Sequence, residues 1–289
     1  MGHTAAGNDT NRPVGAPSDW AHRDVVCRLS ESVRHGFVRE VVLVALAMLA
    51  YFGVRNLTAG GADDAAANAR RIFDLEQWLH ISWESAIQGS IVGSDTLVML
   101  TNWVYIWGHW PVILGVAIAL YILRRDRYYV LRNALFVSGA IGFVLFALLP
   151  VAPPRLLDLG LVDTVTNESS SYRALQPPGL TNQYAAFPSL HFGWNLVVGI
   201  VLLMTTAHLA VRVFAVGSPL AMGVAVIATA NHFLLDVAGG LAVVIVGLAV
   251  ALAIDRRSGP ATLGRSGSDA RVQDDRRRAQ PVPGCPSRG

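Results

Sequence analysis

Lysine is absent from this chain: all 23 basic residues are arginine. That excludes any mechanism resting on a catalytic lysine. It leaves arginine, histidine and backbone amides to hold a phosphate. Cysteine is scarce. Cys27 and Cys285 sit in the two polar end segments, remote from each other and from any histidine cluster. A disulfide framework or a cysteine metal centre is thereby excluded. Charge is scarce as well, at 15% of residues, where a soluble domain carries about 25%.

What the chain has instead is apolar length. Hydrophobic residues make up 53% of the 289, gathered in long runs that need lipid as their solvent. The excess of basic residues lies in the tails and short loops. Membrane topology accounts for it there, and no nucleic-acid partner is implied.

Read along its length, the sequence predicts an all-α, six-span membrane protein. Residues 1–38 form a flexible cytoplasmic tail, 39–254 the membrane catalytic domain, and 255–289 a disordered cytoplasmic tail. The expected spans are 39–57, 107–123, 131–149, 190–207, 213–229 and 232–254. Residues 58–94 are too polar to span. Their apolar positions Ala65, Ala69, Ile72, Leu75 and Leu79 recur at helical spacing, which predicts one or two extracytoplasmic interfacial helices. A surface or re-entrant helix precedes the break at Trp107–Pro111. The arginine-rich loop 124–132 (Arg124, Arg125, Arg127, Arg132) is the strongest positive-inside signal, and it places the tails inside and the long loops 58–94 and 151–189 outside.

Two motifs carry chemistry. Asn231-His232-Phe233-Leu234-Leu235-Asp236 opens the sixth span. His232 and Asp236 are four residues apart, which predicts one shared helical face. An ionisable pair at a span is a functional signal. A carboxylate one turn from a histidine can accept its ring N–H, leaving the other nitrogen free to attack. Phe187-Pro188-Ser189-Leu190-His191 opens the fourth span. His191 and His232 are 41 residues apart. One span down and one back takes about 40 residues, so both histidines return to the same membrane face. Arg155, after Ala152-Pro153-Pro154, is a planar phosphate ligand on that face. Arg173 is a second candidate, and His109 is a further element near the outer half of the second span. Two histidines, an orienting carboxylate and arginine suit phosphoryl transfer.

At these residues the sequence resembles the type 2 phosphatidic acid phosphatase and vanadium haloperoxidase superfamily. It looks most like the branch that includes the inositol phosphorylceramide synthases. The matching pieces are Ala152–Arg155, Tyr184–His191, Asn231–Asp236 with Gly239 and Gly240, and Tyr105–Pro111. The resemblance implies His232 as nucleophile, Asp236 as its orienter and His191 as general acid. It also implies an extracytoplasmic site, a lipid phosphate or phospholipid substrate, and no metal or other cofactor. The chain departs from the phosphatase pattern in three places. It has no lysine seven residues before Arg155, it has Leu190 where the pattern has glycine, and it has Ala225-Val226 where the pattern has Ser-Arg. The synthase-like branch shares these departures. Arg155, Arg173 and His109 are therefore the substrate-binding candidates.

Other readings stay open on sequence alone. Two histidines and an aspartate also suit iron or zinc, and a non-catalytic lipid carrier would keep the motif as structure. Ser189 and Asn231 read most simply as helix caps. The tryptophans read as an interfacial belt, and Gly239 and Gly240 as close-packing positions.

Overall fold

The computed structural model describes residues 36, 38–47, 49, 61–168 and 183–258. The chain divides into two compact units, Met1–Met48 with Ala261–Gly289, and Leu49–Pro260. In the first, residues 38–47 are helical, which is the start of the expected 39–57 span. Most of that span's remainder, the 1–38 tail apart from its last residues, and the 255–289 tail past Ser258 lie outside the described residues.

The second unit is helical, and among the described residues its sole β-contact is one isolated bridge between Val151 and Ala185. Its helices are α1 (Ala62–Trp78), α2 (Glu84–Val92), α3 (Asp95–Trp107), α4 (Trp110–Leu123), α5 (Arg125–Leu148), α6 (Thr164–Glu168), α7 (Leu190–Thr205), α8 (Leu209–Ala228) and α9 (Leu234–Ser258). Three of these, α5, α8 and α9, are long and apolar enough to cross a membrane. The pair α3 and α4, bent by 45° at its break, makes a fourth candidate. Helix α7 is apolar but shorter. By length and composition the described residues thus support three or four of the six expected spans.

Local chemistry sets the boundaries. Gly108 and His109 separate α3 from α4, and Pro111 falls in the first turn of α4, where its missing N–H costs nothing but cannot extend α3. The expected loop 124–132 shrinks to Arg124, because α5 begins at Arg125. Asp126 in that first turn suits the helix N-terminus. It lies 3.5 Å from Arg124 and 3.4 Å from Arg127. At the other end α9 runs past the expected boundary at 254 and takes in Arg256 and Arg257. They form its last turn, where cations suit the carbonyl end of the helix dipole.

The main core joins α4, α5, α7 and α9 through Ile113, Leu131, Val197 and Val244, all buried. One close approach explains how α7 and α8 meet. Pro219 inside α8 has no N–H, so the carbonyl of Ala215 loses its helical partner. Gly199 of α7 packs directly on that carbonyl, in a space that a Cβ would fill. A second cluster gathers Ala65 and Ala69 of α1, Val151, Ala186 and Phe233. It ties the segments after α5, before α7 and before α9 to one another and to α1. Helix α1 buries Ala65, Ala69 and Glu76. Leu75 and Leu79, expected on the apolar face, are exposed. The buried stripe follows the i, i+4, i+7, i+11 row through Ile72 to Glu76.

Candidate functional site

The site lies where α5 ends and α7 and α9 begin. Backbone bonds assemble it. Val151 N–H donates to Tyr184 O at 2.9 Å and Ala186 N–H to Val151 O at 3.1 Å, joining the loop after α5 to the segment before α7. Ser189 N–H donates to Asp236 O at 2.8 Å, joining α7 to α9. Gly240 lies against the Ser189 carbonyl, and a Cβ on Gly239 would come within 2.6 Å of Phe187. The paired glycines allow this close approach.

His232 precedes α9 rather than lying on it, since that helix starts at Leu234. The expected shared helical face is therefore corrected. Asp236 reaches back over the helix start instead. Its Oδ2 accepts Phe233 N–H at 2.8 Å and lies 3.5 Å from His232 Nδ1. The closer partner of Nδ1 is the Ala186 carbonyl, at 2.7 Å. A carbonyl only accepts, so Nδ1 carries the proton and Nε2 presents its lone pair. The segment that delivers His232 is strained. Ala230 has φ 54°, a left-handed conformation that costs a non-glycine residue roughly 1 kcal/mol. The amides of Asn231 and His232 both turn back to Val226 O, at 3.1 and 3.0 Å.

His191 sits in the first turn of α7, its ring centroid 6.1 Å from that of His232. Tyr105 stacks on one side of it at 4.8 Å, and His109 lies at 4.2 Å. His109 is buried and stacked on Trp194 at 5.8 Å. The Asn195 amide nitrogen donates to His191 O at 3.0 Å and lies 3.4 Å from His109 Nδ1. Ser218 Oγ donates to Asn195 Oδ1 at 3.0 Å. His109 thus accepts at Nδ1 and carries its proton on Nε2.

Arg155 occupies the short turn Pro154–Leu156. Its N–H donates to Ala230 O at 3.0 Å. Its guanidinium donates to Asn231 Oδ1 at 2.8 Å and to Asp163 Oδ2 at 3.1 Å. So Arg155 is anchored to the residue beside His232. Asn231 is not a cap for α9, because its amide turns to Thr229 Oγ1 at 2.9 Å and its carbonyl to Arg155. Ser189 precedes α7 but its hydroxyl makes no cap bond. That Oγ is buried without a partner. Arg173 lies outside the described residues. No group of three His, Cys, Asp or Glu among the described residues has a metal-holding arrangement.

Sequence reasoning missed several members. Asn195 carried no signal beyond being polar in an apolar run. Glu76 counts in the sequence only toward the polarity of 58–94, and Glu84 carries no signal there. Both are buried, and they accept Leu235 N–H at 2.6 Å and Leu234 N–H at 2.9 Å. Burial pushes the Glu76 carboxyl up to about 8, with the Glu84 and Asp236 charges adding to the rise.

This is a helical membrane protein with a buried, histidine-rich polar site at one end of its apolar helices. Residues 70–250 match the family model of the PAP2 superfamily, and the chain belongs to that superfamily. It is an enzyme of the phosphatidic acid phosphatase type 2 kind, a phosphoryl transferase or hydrolase. Among solved structures it is similar to the crystal structure of Aquifex aeolicus LpxE, with 19% identity and a TM-score of 0.46, over 59% of this chain and 92% of that one. No curated protein matches significantly in sequence.

Proposed function

We propose that this enzyme acts on a lipid phosphate or phospholipid through a phosphohistidine formed on His232, at the extracytoplasmic face. The observation that carries the reading is the single hydrogen bond of 2.7 Å from His232 Nδ1 to the Ala186 carbonyl. It leaves Nε2 as an unprotonated nucleophile facing away from its orienting partner. In the first step Nε2 bonds to phosphorus and the ester P–O bond breaks. The leaving oxygen takes a proton from His191. Asp236 stabilises the positive ring that results. In the second step an acceptor oxygen attacks phosphorus, His191 takes back a proton, and the P–N bond breaks. Arg155, with Arg173 and His109, is assigned to the phosphate oxygens, where a planar cation and N–H donors stabilise spreading charge.

The acceptor divides two readings. Tyr105, stacked on the His191 ring, and His109, tilted against that same ring, both come from the Tyr105–Pro111 segment that resembles the inositol phosphorylceramide synthases. They favour an alcohol acceptor, that is, transfer of a phospho-head group such as inositol phosphate between lipids. Membership of the superfamily itself favours water, that is, a polyprenyl or phosphatidic acid type of lipid phosphatase. Purified protein in liposomes would be given lipid phosphates and phosphatidylinositol, with and without an acceptor lipid, in the presence of EDTA. Release of free phosphate assigns hydrolysis, and a new phospholipid assigns transfer. Equal turnover by wild type and H232A would overturn the phosphohistidine. Loss of all activity in EDTA would move the reading to a metal enzyme.

A further inference from the structure

Three buried carboxyl groups meet three consecutive amides at the start of α9. Asp236 takes Phe233 N–H at 2.8 Å, Glu84 takes Leu234 N–H at 2.9 Å, and Glu76 takes Leu235 N–H at 2.6 Å. The first amides of a helix lack intrahelical partners, and the dipole there favours negative charge. One carboxylate answers that need, and three exceed it. The second oxygens, Glu76 Oε2, Glu84 Oε2 and Asp236 Oδ1, are all buried without a hydrogen-bond partner. The side chains themselves are 0%, 2% and 0% exposed. Buried charges of one sign repel strongly and do not all stay ionised. Among the described residues, these groups make no metal-holding cluster. Among the described residues neither glutamate has an ion-pair partner, and His232 lies beside Asp236, at 3.5 Å.

A proton supplies what the two glutamates lack. Placed on one carboxyl, it turns an orphaned acceptor into a donor for the other and removes one negative charge. We propose that Glu76 and Glu84 are positioning residues for His232: one proton shared between their carboxyls lets the pair clamp Leu234 and Leu235, and so seats the strained turn that carries the nucleophile. The clamp brings α1 and α2 onto the start of α9. Phe73 of α1 packs on Phe233 there, ring centroids 6.4 Å apart. The titratable groups facing Glu76 are Glu84 from α2, and Asp236 with its partner His232 from the start of α9. The folded carboxyl titrates at about 8, above its ordinary 4.5. Its stabilising contribution is therefore complete below the ordinary value and is lost as pH rises through about 8.

This inference rests on His232 being the nucleophile, so its test has an arm that needs no substrate. Full-length protein in detergent would be titrated from about pH 6 to pH 10 by infrared difference spectroscopy. A protonated-carboxyl C=O band is expected to disappear with a midpoint near 8, and to be missing from E76Q or E84Q. The thermal midpoint of the wild type should fall over the same range, and that of E76Q should stay flat. In the activity arm, E76A should lower kcat about tenfold to a hundredfold at little change in KM, as expected when a nucleophile is misplaced. E76Q, which keeps an acceptor for Leu235 and a donor for Glu84, should recover most of that loss. A wild-type spectrum without the band, a band unchanged in both glutamine variants, or E76Q as impaired as E76A would each overturn the proposal. Loss of the band in the variants, together with equal turnover by wild type and H232A, would keep the shared proton and sink the phosphohistidine reading alone.

Discussion

His232 is held by two unlike partners, and they predict different losses. The Ala186 carbonyl sets the tautomer, so no side-chain substitution removes it. Asp236 offers charge to the ring, so D236N should cut phosphoryl turnover about 10²-fold or more while leaving the ring in place. H232A should abolish labelled phosphoenzyme, trapped by acid quench from a radiolabelled donor. H191A should let that species form slowly, at about 10²–10⁴-fold reduced rate. A labelled intermediate on H232A would place the nucleophile elsewhere. Spacing in the sequence was enough to pair His232 with Asp236. It could not name Ala186, because a backbone carbonyl 46 positions away has no residue-type signature. The same holds for Arg155. The sequence marked it as a phosphate ligand, yet two of its donors are engaged by Asn231 and Asp163. R155A should therefore cost stability as well as activity. Asp163 would keep the Thr166 amide on Oδ1 but lose its cation on Oδ2, at a cost of about 1–3 kcal/mol, readable as a fall in thermal midpoint.

At the scale of helices, the glycines of α7 and α9 separate packing from chemistry. Both Gly199 and Gly240 face a backbone carbonyl that cannot swing away, Ala215 for one and Ser189 for the other. G199A and G240A should each destabilise by about 1–3 kcal/mol through overpacking, measured by thermal unfolding in detergent. Only G240A also moves the turn between Phe187 and His191, so it should lower kcat well beyond its stability loss. Equal kcat in the two variants would separate the Gly240 contact from the site. The pattern of apolar runs was sufficient to foresee most of these helices, since a span is defined by its own length and composition. Their starts were harder to read. The sequence placed His232 on a helix, but Ala230 in the left-handed region and the amide of Phe233 capped by Asp236 delay the first turn to Leu234. Capping is decided by which acceptor reaches the amide, and here that acceptor lies one turn ahead.

For the whole molecule, the expected topology puts residues 151–189 outside and both tails inside. The native cysteines serve as reporters. A membrane-impermeant maleimide applied to intact cells should label V162C, where Val162 is exposed, and should reach Cys27 and Cys285 only after permeabilisation. The reverse pattern would invert the site. Composition by itself pointed to a membrane protein, and the 41-residue interval between His191 and His232 was enough to bring them to one end of the helices, where their ring centroids lie 6.1 Å apart, because helical rise converts residue number directly into distance. Tertiary packing alone decided that His109 rests against His191, that Arg155 grips the neighbour of His232, and that Glu76 and Glu84 are buried at the start of the last helix. These partnerships join segments separated by tens of residues to more than a hundred, and nothing in a local period records which faces of two distant helices will meet.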